Sequence, residues 1–372
     1  MGIPLQTSGY EHERATTPVE NQTFNFDLLK RLCELPGIAG REDAVRALVR
    51  EELTPLVDDM SVDALGNLVA VKRGQGGPRV MILAHMDEIG FLVKHIDDKG
   101  FIRLQPVGGF DPRVLPAQRV LVHGFGGETL RGVLGIAAKP IHLLDPGDIK
   151  PPKLEEMFVD VGLGADEVRQ LVEVGDMVTM DRTVERVGNT VIGKAFDDRV
   201  CVFQMIEAIR RLGEQTQADI IAVATTQEEV GLRGAITSSF HVDPDIGVAL
   251  DVTLAMDIPG AQEQDAVTKL GAGVAIKLMD SSTISNSRLV RHMRDIASTS
   301  GIAYQLEILP RGGTDAGAVQ RTHGGVPAIT LSIPTRYVHT VNEMCSVDDI
   351  EASISLLARY LEQAHEGQYS FE

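Results

Sequence analysis

The sharpest pattern in the chain is an apolar run that ends in charge. Arg79-Val80-Met81-Ile82-Leu83-Ala84 is followed at once by His85, Asp87 and Glu88, with a Gly/Pro-rich turn before it and Gly90 beyond, where the backbone is expected to relax. A buried strand is expected here, delivering ionisable groups to its carboxyl end. Upstream, Leu28, Leu29 and Leu32 form a helical stripe broken at Leu35-Pro36-Gly37, and Val45, Leu48, Val49 and Leu53 form a second. Residues 62–71 read as a strand pair turned at Leu65-Gly66-Asn67. Residues 1–22 are polar and aperiodic, which predicts a mobile tail.

From about Phe91 to Arg182 the texture changes. Short apolar or alternating segments (101–104, 119–123, 130–136, 177–180) are separated by Gly, Pro and Asp, and only 165–172 looks helical. That is the pattern of a small β-rich barrel or sandwich. A longer α/β rhythm then returns: a helix over 198–212, strands over 219–226, 246–252, 274–278, 305–309 and 328–333, and helices over 288–298, 315–321 and 347–364. Pro334 is expected to end its strand, and 231–239 is left as a short segment. The organisation predicted is an α/β unit over 23–90 and 184–372 with a β-rich unit over 91–183 inserted into it.

Composition narrows the partners. Against 35 Lys plus Arg stand 53 Asp plus Glu, a formal charge of −18, so nucleic acid and anionic membranes are not expected as partners. A hydrophobic share of 43% argues for a globular chain, and no membrane-length apolar run or N-terminal signal is apparent. Cys33, Cys201 and Cys345 are odd in number and without CxxC spacing, which suits a reduced, cytoplasmic setting.

The remaining signal is a set of ionisable groups at strand ends or in adjoining loops: His85 with Asp87, Asp197-Asp198-Arg199, Glu228-Glu229, Asp251 and His339. Each has an ordinary explanation when taken alone. Adjacent acids commonly form a solvated turn, an Asp before a helix caps it, and Asp251, placed at its strand's end, reads as a turn residue. Together they gain weight, because carboxyl ends of strands in open α/β sheets converge even when the chain separates them. Histidine and carboxylate without cysteine suit zinc, cobalt or manganese. In that reading His85 is a ligand whose ring Asp87 orients, while one of the two glutamates binds metal and its neighbour serves as general base.

The motifs at 84–90 (AHMDEIG), 193–199 (GKAFDDR), 227–231 (QEEVG), 250–252 (LDV), 312–316 (GGTDA) and 336–339 (RYVH) occur in one order, and with them the chain from about Phe24 onward resembles the tetrahedral aminopeptidase family. The resemblance implies a mixed-sheet α/β metallopeptidase domain with helices on both faces, carrying an inserted small β-barrel for dimerisation. It implies two divalent metal ions, zinc first and cobalt or manganese as alternatives. Asp197 would bridge them, His85 and Asp251 completing one and Glu229 and His339 the other. Glu228 would be the general base, Asp87 the support of His85, and Thr314 and Asp315 would face the substrate. Peptide substrates and a homo-oligomeric dodecamer of six dimers are implied likewise. Two rivals stand beside it: a glycoside hydrolase using Glu228 and Asp251 without metal, against which the absence of Trp counts, and a non-catalytic assembly protein stapled by metal.

Overall fold

The computed structural model describes residues 24–143, 145, 151–213 and 216–370, so the tail expected over 1–22 lies outside the described residues. Helices α1 (Phe26–Glu34) and α2 (Asp43–Leu53) open the chain. Asn25 caps α1 by accepting from the Leu28 amide. The strands β1 (Asp59–Val62) and β2 (Leu68–Lys72) pair antiparallel around a turn in which Asp63 accepts from the amides of Leu65, Gly66 and Asn67. Then comes β3 (Arg79–His85), buried at every position after Arg79.

The next six strands form a closed barrel. They are β4 (Gly90–Ile96), β5 (Ile102–Val107), β6 (Arg119–His123), β7 (Thr129–Ile136), β8 (Met157–Asp160) and β9 (Met177–Met180), ordered β4-β5-β8-β7-β6-β9, with helix α3 (Ala165–Leu171) alongside. Val93, Ile102, Val120, Val122, Leu134, Val159 and Val178 fill its core. Closure removes free strand edges, which a small β unit would otherwise expose. At Gly90 the need is space and not a special backbone angle: a Cβ there would lie 2.3 Å from Ile38 Cγ2 and 2.9 Å from the Val178 carbonyl.

The larger sheet takes the rest: β10 (Glu185–Val187), β11 (Thr190–Gly193), β12 (Asp219–Thr225), β13 (Ile246–Leu254), β14 (Val274–Met279), β15 (Tyr304–Ile308), β16 (Ala328–Arg336) and β17 (Glu343–Ser346). Its order is β1-β2-β12-β3-β13-β16-β17-β11-β10, with β14 pairing β16 and β15 pairing β14. The centre β12-β3-β13-β16 is parallel. Helices α4 (Phe196–Arg211), α6 (Ser287–Thr299) and α8 (Val347–Gln363) cover one face with α1 and α2; α5 (Arg233–Val242) and α7 (Ala316–Gln320) cover the other. Strand β3 shows why its sequence is apolar without alternation: Val80, Ile82 and Ala84 join one core, Met81 and Leu83 the other. Helix α4 is buried from Phe196 to Ile209, as befits a central helix.

Four expectations change in detail. Asp251 lies inside β13, which stays paired with β16 through Leu254 after the pairing of β13 with β3 has stopped at Ala249. Pro334 lies inside β16, opposite Thr253 of β13, at a point where pairing with β14 has ended and pairing with β17 has not begun. A proline fits there because that side of the strand has no ladder to complete. The short segment after Gly231 is the full helix α5, and Asp197 and Asp198 are non-helical, so the regular turns of α4 start after them. Among the described residues no helix is long and apolar enough to cross a membrane.

Candidate metal centre

The carboxyl ends of the four parallel strands point to one cleft of about 410 Å³ lined by His85, Asp197, Glu228, Glu229, Asp251, Thr314 and His339, among others. His85 closes β3, and Glu228 and Glu229 sit in the turn after β12. Asp251 projects from β13 beyond the last pairing with β3, and His339 follows β16 in left-handed conformation (φ +62). Asp197 enters from the break before α4, where the Asp197–Asp198 peptide is cis. The barrel borders the same space. A Cβ on Gly108 would lie 3.3 Å from Glu229 Oε2, and one on Gly109 would lie 3.5 Å from His339 Nδ1.

Asp197 stands at the middle. Its Oδ1 lies 3.1 Å from His85 Nε2 and its Oδ2 3.1 Å from His339 Nε2, which is also 3.3 Å from Glu229 Oε1. Two sets of potential ligand atoms, each within 4.8 Å of one another, share Asp197: one with His85, Asp198 and Asp251, the other with Glu229 and His339. Glu228 belongs to neither set, yet its Oε2 approaches His85 Nε2 to 3.9 Å. The His85 ring is turned by Asp87, chiefly through the main chain: Nδ1 is 3.0 Å from the Asp87 carbonyl and 3.4 Å from Oδ1. A proton on Nδ1 then leaves Nε2 free to ligate. The Asp87 carboxylate accepts instead from the amides of Glu228 (3.0 Å) and Glu229 (3.1 Å).

The electrostatics are those of a site in which carboxylates outnumber cations, although Lys277 and Arg311 also line the cleft. Five buried or nearly buried carboxylates (Asp197, Asp198, Glu228, Glu229, Asp251) meet two histidines. Burial, then the neighbouring acids, raises Glu228, Asp251 and Asp198 well above the carboxylate range, and burial raises Glu229 as well. Burial works against charge on His85 and His339, but the acids beside them outweigh it, lifting His339 to about 12. The same two histidines hold Asp197 below the ordinary range despite its burial. An oxygen and nitrogen donor set of this charge, without thiolate, fits divalent cations.

Thr314 lines the cleft, its hydroxyl 2.8 Å from that of Thr330. Asp315 is buried behind it, accepting from the Thr225 hydroxyl at 2.6 Å, and does not line the cleft. Leu232, Val252, Leu254, Leu309 and Val338 give the cleft apolar walls, and Arg311 is exposed in the loop beside it. Several groups escaped the sequence reading. Asp198, given no role of its own within the Asp197-Asp198-Arg199 cluster, accepts from the His85 amide at 3.1 Å. Glu343 accepts from the amides of Asp197 and His339. Glu88 is buried and bound to Lys194 at 2.6 Å, with Arg199 3.7 Å away; Arg199 in turn donates to the carbonyls of Met86, Leu32, Leu35 and Gly37. Only the adjacency of Asp198 to Asp197, and of Glu88 to Asp87, hinted at any of these.

Comparison with known proteins agrees with this architecture. Residues 66–356 match the M42 glutamyl aminopeptidase family. The chain is 36% identical to the lysyl aminopeptidase of Pyrococcus furiosus, over 91% of this chain and 97% of that one. Among solved structures, an aminopeptidase of the archaeon Desulfurococcus kamchatkensis superposes with a TM-score of 0.87 at 40% identity, covering 91% of this chain and 94% of its own. The TET1 peptidase of Pyrococcus horikoshii, which can assemble into a tetrahedron or a large octahedral shell, superposes with a TM-score of 0.81 at 33% identity, over 90% and 98% of the two chains.

Proposed function

The chain belongs to the M42 glutamyl aminopeptidase family and is an aminopeptidase, and from that premise we propose that it removes N-terminal residues from peptides at a site for two divalent metal ions. Asp197 would be shared between the ions, with His85 and Asp251 holding one and Glu229 and His339 the other; Asp198 lies within reach of the first. Zinc is the ion this donor set suits first, with cobalt or manganese as alternatives. When bound, such ions supply Lewis acidity toward a water and a peptide carbonyl.

The chain's own residues do the rest. Glu228 takes the proton of the attacking water and returns it to the leaving amine. The observation that supports this most is its position: it faces His85 at 3.9 Å while standing outside both ligand sets. Asp87 fixes the turn that carries Glu228 and Glu229, so base and ligand keep their separation. The apolar walls of the cleft exclude water around the substrate, Thr314 meets it directly, and Asp315, the next residue, is anchored behind the cleft by the Thr225 hydroxyl. A cytoplasmic location is proposed from the three free cysteines, a shell-like homo-oligomer from the likeness to the TET1 peptidase, and the barrel as dimer contact from the resemblance carried by the motifs.

The test is Glu228→Gln, assayed on a panel of aminoacyl reporters after reconstitution with zinc, cobalt or manganese. The variant is expected to keep its metal and lose roughly 10²–10⁴-fold in turnover. Normal turnover would remove Glu228 from the mechanism. The glycoside-hydrolase reading is not favoured by the family match, and activity that survived complete chelation would be needed to revive it.

A further inference from the structure

We infer that Glu343 is a positioning residue for the metal site, holding two ligands in register through their main chain; this rests on the two-metal reading above. Glu343 opens β17 and is 2% exposed. Its Oε2 accepts from the Asp197 amide at 3.1 Å and its Oε1 from the His339 amide at 2.8 Å. One buried carboxylate therefore joins the shared ligand to a histidine of the second set, although 142 residues of chain separate those two. Both of its oxygens are engaged, and it belongs to neither ligand set.

The need for such a clamp follows from where the ligands sit. Asp251 lies within β13, and the sheet fixes its main chain. Asp197 and His339 have no such support: one is a non-helical residue in the break at the start of α4 (φ −74, ψ 100), the other a left-handed loop residue. For a residue other than glycine, left-handed backbone costs about 1–2 kcal/mol and persists where the surroundings hold it. The same device recurs around the cleft. Asp87 holds the amides of Glu228 and Glu229, and Asp198 holds that of His85 where β3 ends. Of the proposed ligands and base, only Asp251 has strand on both sides, and its carboxylate instead accepts from the Val252 amide at 2.7 Å.

Glu343→Gln tests this. The amide side chain leaves one oxygen for two N–H groups and turns an NH₂ toward the other. Zinc affinity, measured by competition with a chelator of known strength, is expected to fall about 10–100-fold. The metal-free variant should melt close to the metal-free parent while losing much of the rise in melting temperature that zinc brings. Glu343→Asp, which keeps both acceptors on a shorter arm, should be intermediate, and it carries the test if the Gln variant does not fold. Parental zinc affinity in the variants overturns the proposal, whether or not their metal-free melting temperature drops. If the parent itself takes up no zinc, the two-metal reading falls first and this one with it.

Discussion

At His85 and His339 the atoms proposed to bind a cation lie against neighbouring carboxylates. In the metal-free protein both rings are held above the ordinary histidine range by adjacent acids, and Glu228, Asp198 and Asp251 are pushed well above the carboxylate range, first by burial. Groups raised in this way hold their protons to higher pH than free side chains, and ligation must expel those still bound. Metal uptake should therefore release protons, and apparent affinity should rise with pH. Calorimetric titration in buffers of different protonation enthalpy reads the number directly; zero release would show that the cluster is already ionised. The residues that proved hard to foresee share one trait. Glu343, Asp198 and Glu88 act on backbone amides or on a buried lysine far along the chain, so no local spacing announces them. His85, Glu228 and Asp251 were legible because each follows or interrupts an apolar run, which places an ionisable group at a buried strand end.

Among elements, the seat of the first barrel strand is set by what has no side chain. Gly90 begins β4 against Ile38 and the Val178 carbonyl, and an alanine there must displace one of them. Gly90→Ala is expected to lower stability by roughly 1–3 kcal/mol, measured by thermal or denaturant unfolding. A neutral result would mean that the Ile38 loop and β9 give way without cost. Inside α4, Phe203 is fully buried and meets Phe24 edge-on at 5.5 Å, and Phe203→Ala should cost roughly 3–5 kcal/mol by the cavity it leaves. The parallel strands and the amphipathic helices α1, α2 and α6 could be read from periodicity. The short strands β10, β11 and β17 could not, because three or four residues carry too little pattern. Nor could the course of β13 past Asp251, since an acid inside a strand looks like its end until the neighbouring strand is known to stop first.

Over the whole molecule, charge and assembly meet. A dodecamer of chains of 40.2 kDa would weigh about 480 kDa, a mass that light scattering after size exclusion separates at once from a monomer or dimer. The chain carries a formal charge of −18, so the proposed assembly would work against repulsion that salt screens over about 8–10 Å at 0.1–0.15 M ionic strength. Lowering the ionic strength should favour smaller species; an assembly that instead came apart in high salt would be held by ion pairs between subunits. The order of the motifs along the chain, with the barrel between the first and second of them, has a last consequence. His85 lies on β3, and His339 arrives 254 residues later, after β16. During synthesis the site cannot exist until nearly the whole chain has been made, the barrel has closed and β16 has docked beside β13. On the proposed ligand sets, capture of the full complement of metal would then come late, after His339 has been made.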